Sequence, residues 1–290
     1  MINQISVKPK KISSAVLITC HNRKEKTVKC LDLLFKQKNE REFLIDVFLV
    51  DDGSTDGTSD AIKIQFPKVH IIKGDGNLFW NRGMNLAWKE ASKMNPDYYL
   101  WLNDDTFLFE NGINSLLKSS FEKENQAIIV GSTISEISKI ITYGGRYDNG
   151  QIIEPNDSLQ DCFHFNGNLV LIPKKVFEKV GFLDPIFHHA VGDFDYGMRA
   201  RKKGVQLFIS PEFNGFCEGH ENFSKWCRVE TPLIQRLKTL YSSTCECNPK
   251  QFFIFEKRHY GLIQAMKHLI TIHIRAFLPK LWYSLKVKLV

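Results

Sequence analysis

Short apolar runs alternate with helical patterns along the first part of this chain. The runs have the length and composition of strands and lie at residues 15–19 (AVLIT), 47–50 (VFLV), 69–72 and 98–102 (YYLWL). Apolar residues at helical spacing lie between them, at residues 25–38, through Ile62 and Ile64, and at residues 82–94. Alternating strands and helices form right-handed β-α-β units, so the sequence predicts an α/β fold with a Rossmann-like, mainly parallel central sheet and flanking helices.

The second half of the chain has a less regular pattern. Residues 140–153 contain several glycines, which predicts a hairpin or an irregular excursion. The other predicted elements are a strand at 165–172, a short helix opened by Pro173 and closed by Gly181, a helix at 193–203 ended by Gly204, and a strand at 205–209. No linker rich in Pro, Gly or Ser separates the halves, so we expect one catalytic domain over residues 1–228.

Charge is distributed unevenly along the 290 residues, whose net charge is +7. Residues 229–290 hold ten Lys and Arg against three Asp and Glu, and the rest of the chain is neutral. We therefore expect a basic, amphipathic helical extension at 229–290 that lies on an anionic membrane surface. Packing on the catalytic domain, or a homodimer contact, is the alternative. Nucleic acid is not an expected partner, because the basic residues are mixed with apolar ones.

Location is predicted from two further features. The sequence has no uninterrupted apolar run of about 18 residues, and the stretch at 15–18 is too short for a signal peptide. The seven cysteines are odd in number and form no C-x-x-C pair, which indicates reduced thiols rather than disulfides or a zinc site. We expect a cytoplasmic protein, peripheral on the inner face of the cell membrane.

Polar clusters follow three of the predicted strands, at residues 19–23 (TCHNR), 51–56 (DDGSTD) and 103–105 (NDD). In open α/β sheets, ligands bind outside the carboxyl ends of the strands, where such loops converge. The DDGSTDG segment is not a calcium loop, because its twelfth position is Lys63 instead of a glutamate. Its carboxylates either cap the next helix or accept hydrogen bonds from a nucleobase or ribose, while Gly53 permits close approach of the backbone.

The adjacent carboxylates Asp104 and Asp105 follow a very apolar strand and repel each other. A divalent cation would remove that conflict, and hard oxygen ligands favour Mg²⁺ or Mn²⁺. Phosphate oxygens would complete the coordination, which is how a nucleotide diphosphate is commonly held. The pair therefore predicts a metal-assisted nucleotide site.

A third acidic segment, GDFDYGMRARKKG, offers a candidate base. Asp195 and Arg199 are four residues apart and predict an ion pair on a helix surface. Asp193 has Gly197 at the corresponding position, so its carboxylate is the better candidate for a general base that faces a cleft. Among the tryptophans, Trp88 is expected in the core and Trp80 in the pocket. His220 is either a structural residue or a third metal ligand.

Six collinear blocks resemble the inverting glycosyltransferases of family 2, which have the GT-A fold. The blocks are VLITCHNR, FLVDDGSTDGT, GDGNLFWNRGMNLAW, LWLNDDT, FNGNLVLIPKKVFEKVGFLD and GDFDYGMRARKKG, and they run from about residue 16 to about residue 220. The third and fourth blocks are similar to those of rhamnosyltransferase-like members, which build bacterial surface polysaccharides. The resemblance implies a sugar donor linked to a nucleotide diphosphate, a glycan or lipid-linked glycan acceptor, and Mn²⁺ or Mg²⁺.

The resemblance also implies roles for individual residues. Residues implied in binding the donor are Thr19, Asn22, Arg23, Asp51, Asp52, Asn77, Trp80, Arg82 and Asp104. Asp105 would bind the cation, with His220 as a further ligand. Asp193 would deprotonate the acceptor hydroxyl, and Asp195 would steady that loop or touch the acceptor. This chain departs from the family pattern at Gly192, where an acidic residue is often found, and around His220, where the segment is CEGHENFS.

The chemistry of direct displacement requires these parts. A departing nucleotide diphosphate develops negative charge that a cation neutralises, while a carboxylate on the opposite face removes the proton from the attacking hydroxyl. The anomeric carbon is then inverted, and one base suffices. Two alternatives remain open: a metal-dependent nucleotidyltransferase or pyrophosphorylase, although TCHNRKEK lacks the glycines of its usual loop, and a non-catalytic nucleotide-sugar-binding module.

Overall fold

The computed structural model describes residues 11–38, 43–219 and 225–282. Its strands are β1 (Ser13–Cys20), β2 (Leu44–Asp51), β3 (His70–Lys73), β4 (Tyr98–Leu102), β5 (Phe107–Leu108), β6 (Ile128–Ile134), β7 (Ile141–Tyr143), β8 (Gly145–Arg146), β9 (Gln160–Asp161), β10 (His164–Phe165), β11 (Leu169–Pro173) and β12 (Leu207–Phe216). Its helices are α1 (Lys24–Phe35), α2 (Thr58–Gln65), α3 (Phe79–Ser92), α4 (Gly112–Glu122), α5 (Lys174–Val180), α6 (Gly192–Lys202), α7 (Leu233–Leu240), α8 (Pro249–Tyr260) and α9 (Leu262–Phe277). A single 3-10 turn lies at Lys225–Cys227.

The central sheet has the strand order β3-β2-β1-β4-β11-β6-β12-β5. The first four of these strands are parallel, as are β6 and β12, whereas β11 runs antiparallel to both β4 and β6. In the register of β1 and β2, Cys20 lies opposite Asp51, so the two strands end at the same level. The predicted α/β fold with a mainly parallel sheet and flanking helices is confirmed, and the loops after β1, β2 and β4 meet at one edge.

Apolar side chains fill both faces of the sheet. On β1, Leu17 points to one face and Ile18 to the other, and both are fully buried. The first face packs on α3 and α6, where Trp88 is fully buried among aromatic rings, as predicted for a core residue. The second face packs on α1, α2 and α4. A sheet covered by helices on both sides holds its loop-bearing edge rigidly.

Two predicted elements differ from the structure. The strand expected at 165–172 is divided into β10, which pairs with β8 in a separate two-stranded sheet, and β11, which pairs with β4 and β6 in the central sheet. Between them the amide of Gly167 bonds to the Asp193 carboxylate. The strand expected at 205–209 extends to Phe216, with register shifts against β6. The region that contains β5, α4 and β6 was left unassigned by the sequence patterns.

The C-terminal region is helical, as expected. A small core formed by Trp226, Leu240 and Ile272, with Cys227, Cys245 and Ala276, joins the 3-10 turn to α7 and α9. Helix α8 lies against the sheet domain, where the Gln251 side chain accepts a hydrogen bond from the amide of His188 at 2.7 Å. None of the helices within the described ranges is long and apolar enough to cross a membrane.

Candidate active site

A cleft of about 670 Å³ opens at the edge of the sheet where β1, β2 and β4 end. The loops after these strands line the cleft together with the Asn166–Gly167–Asn168 turn and the start of α6. Seven of the side chains assigned roles from the sequence line it: Thr19, Arg23, Asp52, Trp80, Asp104, Asp105 and Asp193. The structure therefore brings the polar ends of three strands and the start of a helix to a single cavity.

Arg23 holds the two adjacent carboxylates together. Its Nη1 atom lies 3.1 Å from Oδ1 of Asp104 and 2.7 Å from Oδ2 of Asp105. Burial lowers the pKa of the Arg23 guanidinium, but the two carboxylates raise it more, so its pKa stands above the usual value. The repulsion expected between neighbouring carboxylates is thus balanced by a cation of the chain itself.

The two carboxylates differ in their surroundings. Burial and the neighbouring Asp105 charge raise the pKa of Asp104 to about 6, although Arg23 and a hydrogen bond from Thr27 oppose the shift. The Asp105 side chain is 15% exposed, against 6% for Asp104, and its Oδ1 lies 3.8 Å from the sulfur of Cys217. Asp105 therefore offers the carboxylate that a ligand in the cleft reaches.

The cleft is suited to a cation bound together with substrate phosphates. Within the described residues, no three His, Cys, Asp or Glu side chains are grouped to hold a metal ion by themselves. Mg²⁺ is commonly bound through one or two carboxylates and phosphate oxygens, and the Asp104–Asp105 pair provides such carboxylates. His220, assigned as a further ligand from the sequence, lies outside the described residues.

The neighbouring residues Asp51 and Asp52 differ in position: only Asp52 lines the cleft. Asp51 is fully buried away from the cleft. Burial raises its pKa, but hydrogen bonds from Ser54, Ser59 and Lys73 lower it more, so the net pKa falls below the usual range. The side chain of Asp51 thus fixes the loop after β2, away from any ligand in the cleft.

Asp52 lines the cleft and is itself occupied by backbone. Its Oδ1 accepts from the amide of Gly76 at 2.8 Å, and its Oδ2 accepts from the amides of Leu78 and Phe79 at 3.0 and 2.9 Å. Gly53, at a φ of 74°, lies so close to Gly76 that a side chain would crowd it. Asp52 therefore anchors the loop that leads into α3 and places Phe79 and Trp80 at the cavity.

Besides Asp51, three residues assigned to the donor lie outside the cleft lining. The Asn22 side chain accepts from the amide of Thr55 at 2.8 Å and so ties the loops after β1 and β2. The Asn77 side chain donates to the carbonyl oxygen of Asp75 at 3.4 Å, and the guanidinium of Arg82 donates to the carbonyl oxygen of Pro185 at 2.8 Å. The structure gives these side chains contacts within and between loops in place of a position at the cavity.

Trp80 joins the loop after β4 to the Asn166–Gly167–Asn168 turn. Its indole nitrogen donates to Oδ1 of Asn103 at 2.7 Å. The far edge of the ring lies against Gly167, where a side chain would collide with the indole. The position therefore requires glycine, and the indole ring lines the cleft between these two segments.

Asp193 stands in the first turn of α6 and lines the same cleft as the Asp104–Asp105 pair. Its Oδ2 accepts from the amide of Gly167 and its Oδ1 from the amide of Phe194, both at 2.9 Å. Burial raises the pKa of this carboxyl to about 6, even though the amides and the charge of Arg146 oppose the shift. A carboxylate with this pKa, held in fixed orientation, is suited to accept a proton near neutral pH.

The residue before Asp193 explains a departure from the family pattern. A side chain at Gly192 would overlap the amide of Asn81, which is itself bonded to the carbonyl oxygens of Asp184 and Phe187. An acidic residue has no room there in this chain. Val191, the residue before Gly192, adopts a φ of 59°, a conformation that a β-branched residue rarely takes outside functional turns.

Asp195 lies on the other side of α6 and does not line the cleft. It is fully buried, and its oxygens lie 2.8 Å from each of Arg199, Arg258 and His259. The ion pair with Arg199 was predicted from the sequence and is confirmed. The side chain of Asp195 therefore supports α6 and binds α8.

The sequence patterns missed several residues of the cleft. Thr244 and Glu246 come from the segment between α7 and α8, and His189 precedes α6. None of them follows a predicted strand or belongs to one of the six family blocks, so the sequence carries no signal that marks them.

Comparisons with known proteins establish the family and the fold. A family model described as "Glycosyl transferase family 2" matches residues 15–181. The crystal structure of GalNAc-T7 with UDP, GalNAc and Mn²⁺ is similar at 16% identity and a TM-score of 0.60, over 84% of this chain and 48% of that one. The crystal structure of S. aureus TarS 1-349 is similar at 12% identity and a TM-score of 0.53, over 92% of this chain and 72% of that one. This chain spans less than half the length of the GalNAc-T7 structure, and at these identities the similarity concerns the fold alone. No curated protein sequence matches the chain.

Proposed function

This chain belongs to glycosyl transferase family 2, and we propose that it transfers a sugar from a nucleotide-diphosphate donor to a hydroxyl of a glycan or lipid-linked glycan acceptor, with inversion of the anomeric carbon. One observation carries the proposal: Asp105 and Asp193 line the same cleft. A displacement needs charge stabilisation at the leaving group and a base at the attacking hydroxyl, and two carboxylates from different loops of one cleft can serve these two tasks.

The diphosphate end of the donor belongs near Arg23, Asp104 and Asp105. A cation bound at Asp105 would supply charge neutralisation for the departing diphosphate. Arg23 lines the cleft and is 39% exposed, so its guanidinium can donate to phosphate oxygens from where it stands. Thr19, Asp52 and Trp80 line the same cleft, and we propose that the base and ribose bind beside the loop that Asp52 anchors.

Asp193 acts on the acceptor. Its carboxylate is held by two amides that both face it from fixed backbone, so it keeps one orientation while an acceptor hydroxyl approaches. The hydroxyl loses its proton to Asp193 as its oxygen attacks the anomeric carbon, and the diphosphate leaves from the opposite side. The proton stays on a group whose pKa of about 6 allows its release to water at neutral pH.

The wider role that we propose is synthesis of a bacterial surface polysaccharide, with a rhamnosyl or other hexosyl donor, in the cytoplasm. Support comes from the sequence blocks around Asn77 and Asp104, which are similar to rhamnosyltransferase-like members of the family. The similar GalNAc-T7 structure contains UDP, GalNAc and Mn²⁺, so these are the first ligands to try. We also propose residues 1–228 as the catalytic domain.

Binding of a nucleotide diphosphate should depend on Mn²⁺ through Asp105. We expect Mn²⁺ to tighten UDP or another nucleoside diphosphate by about 5- to 150-fold in the wild type, the usual range of coupling between two ligands. In Asp105→Asn this gain should largely disappear. Isothermal titration of a panel of nucleoside diphosphates, with and without Mn²⁺, measures the change in affinity. The control is Asp60→Asn, whose carboxylate is 81% exposed on α2. Equal metal dependence in Asp105→Asn and the control would remove Asp105 from this role.

We also propose that the C-terminal extension lies on an anionic membrane, where lipid-linked acceptors are found. Helix α9 exposes apolar side chains along one face, with Ile263 87% and Ile270 55% exposed, and Lys267 lies between them. Such a face is suited to the headgroup region of a bilayer, whereas the opposite face, with Ala265 and Ile272, is buried against the protein.

The double variant Ile263→Glu with Ile270→Glu should lose binding to vesicles that contain anionic lipid. Each buried apolar side chain contributes about 1.5–3 kcal/mol, so partition should fall by at least tenfold. Sedimentation with phosphatidylglycerol vesicles measures the bound fraction. Ile64→Glu is the matched control, because Ile64 is 81% exposed on α2 and far along the chain from the extension. Failure of the wild type to sediment, or equal binding of the double variant, would refute the membrane proposal.

A further inference from the structure

A second cavity, of about 420 Å³, lies beside the cleft. It is open to solvent and is lined by residues of the start of α6, of α8 and of α9. Val191, Phe194 and Glu246 line both cavities, so the two spaces meet at the turn that carries Asp193. Its volume falls within the range of about 300–1,000 Å³ that is typical of small-molecule sites.

The walls of this cavity are mainly aromatic. Its aromatic members are Phe194, Phe252, Phe255 and Tyr260, together with the ring of His164. Rings of Phe194 and His164 lie 5.2 Å apart, and those of Phe255 and Tyr260 lie 6.1 Å apart. Flat apolar surfaces of this kind pack well against the C–H faces of rings as well as against alkyl chains.

Two buried polar side chains interrupt the aromatic walls. Glu256 is 4% exposed, and its Oε1 lies 3.1 Å from Nδ1 of His268, whereas its Oε2 has no hydrogen-bond partner among the described residues. His164 is 8% exposed, and its Nδ1 likewise has no partner in the described part of the chain. Buried polar atoms without partners destabilise a protein, so they point to a ligand that completes their bonding.

We propose that this cavity is an acceptor subsite that binds a neutral sugar unit next to the unit that receives the transferred sugar. The inference rests on the proposed function, because it needs an acceptor at Asp193. A sugar ring presents apolar C–H faces to Phe252 and Phe255, and its hydroxyls donate to the carboxylate of Glu256. The shared boundary at Phe194 allows one chain of sugars to occupy both cavities.

The charges argue against a lipid phosphate as the occupant. Glu246 and Glu256 both line the cavity, and two carboxylates would repel a phosphate. An alkyl chain would fill the apolar space but leave Glu256 and His164 without partners. A neutral sugar satisfies both the aromatic walls and the carboxylates, so the specificity we infer is for an acceptor of at least two sugar units.

The test compares sugars of one and two units. The probes are methyl glycosides of glucose, galactose, mannose, rhamnose and N-acetylglucosamine, and neutral disaccharides built from them, titrated into the full chain with UDP and Mn²⁺. We expect at least one disaccharide to bind about tenfold or more tighter than its monosaccharide, the gain of a hydrogen bond to a charged group. Glu256→Gln should remove most of this gain, and Phe252→Leu, which keeps an apolar side chain but removes the ring, should reduce it.

Glu178→Gln is the matched control, since its carboxylate is 58% exposed on α5. Equal affinity for mono- and disaccharides, no binding of any disaccharide, or displacement of a bound disaccharide by farnesyl phosphate would each overturn the proposal. Titration of UDP and the other nucleoside diphosphates with Mn²⁺ in the same samples distinguishes failure of the subsite from failure of the proposed function. If UDP binds and the disaccharides do not, the subsite alone is wrong; if UDP and the other nucleoside diphosphates all fail to bind, the proposed function is wrong as well.

Discussion

Asp193→Asn is expected to lower the rate of sugar transfer by about 100- to 10,000-fold, the usual contribution of a general base. Donor binding should stay nearly unchanged, because the side chain faces the acceptor part of the cleft and an amide oxygen can still accept from the amide of Gly167. Release of nucleoside diphosphate from a donor that supports turnover measures the rate, and isothermal titration measures donor affinity. Asp60→Asn, on the exposed side of α2, is the control.

The same residue predicts the pH dependence of the wild type. A base works in its ionised form, and burial raises the pKa of Asp193 to about 6. The rate should therefore rise as pH increases through about 6 and level off above it, and Asp193→Asn should lose this rise in its residual activity. Measurement of kcat/KM across this range tests the prediction. A wild-type rate that is flat through pH 6, or a variant that keeps full activity, would show that another group takes the proton.

Asp195→Ala is expected to destabilise the fold by about 3–5 kcal/mol, the cost of leaving buried partners of an ion pair without their counter-charge. Arg199, Arg258 and His259 all lie 2.8 Å from this carboxylate. Urea unfolding followed by circular dichroism measures the free energy of unfolding. Asp161→Ala, at an exposed position of β9, is the comparison variant. A loss no larger than that of Asp161→Ala would mean that the three partners find other contacts.

Asp195 also makes stability depend on acid. Burial raises its pKa, but hydrogen bonds from His259, Arg199 and Arg258 lower it more, so the folded pKa lies below that of the unfolded chain. Its contribution is then complete above the usual carboxyl pKa and is lost as pH falls through the folded value. Wild-type stability should fall more steeply in acid than that of Asp195→Ala, and parallel curves for the two proteins would contradict this assignment.

The first half of the fold could be predicted because each of its strands and helices has a recognisable apolar pattern within a short stretch of sequence. The runs that became β1, β2, β3 and β4 are separated by helices with clear apolar faces, and parallel strands then place their carboxyl ends at one edge. That rule alone directed attention to Arg23, Asp52 and Asp105, which all line the cleft. The same rule also selected Asn22 and Asp51, which do not line the cleft, so residue type and strand end indicate the region of the cleft but not every residue in it.

The remainder depended on contacts between distant parts of the chain. The antiparallel insertion of β11 between β4 and β6 has no periodic signal of its own. Asp51 and Asp52 are adjacent in a strand end, where successive side chains point to opposite sides, and only the fold decides which one faces the cavity. Glu246 reaches the cleft only because α8 docks on the domain, which no local pattern announces.

The docking of α8 has a consequence for the boundary that we propose at residue 228. Arg258 and His259 of α8 form ion pairs with Asp195. Asp195 lies two residues after Asp193 in α6. A shortened chain that ends before α8 would lose Arg258 and His259, and Asp195 would keep only Arg199 as a partner in an ion pair. Helix α8 thus stabilises the turn of α6 that contains Asp193. Point substitutions on α9 therefore test membrane binding better than a truncation, which would also remove these contacts.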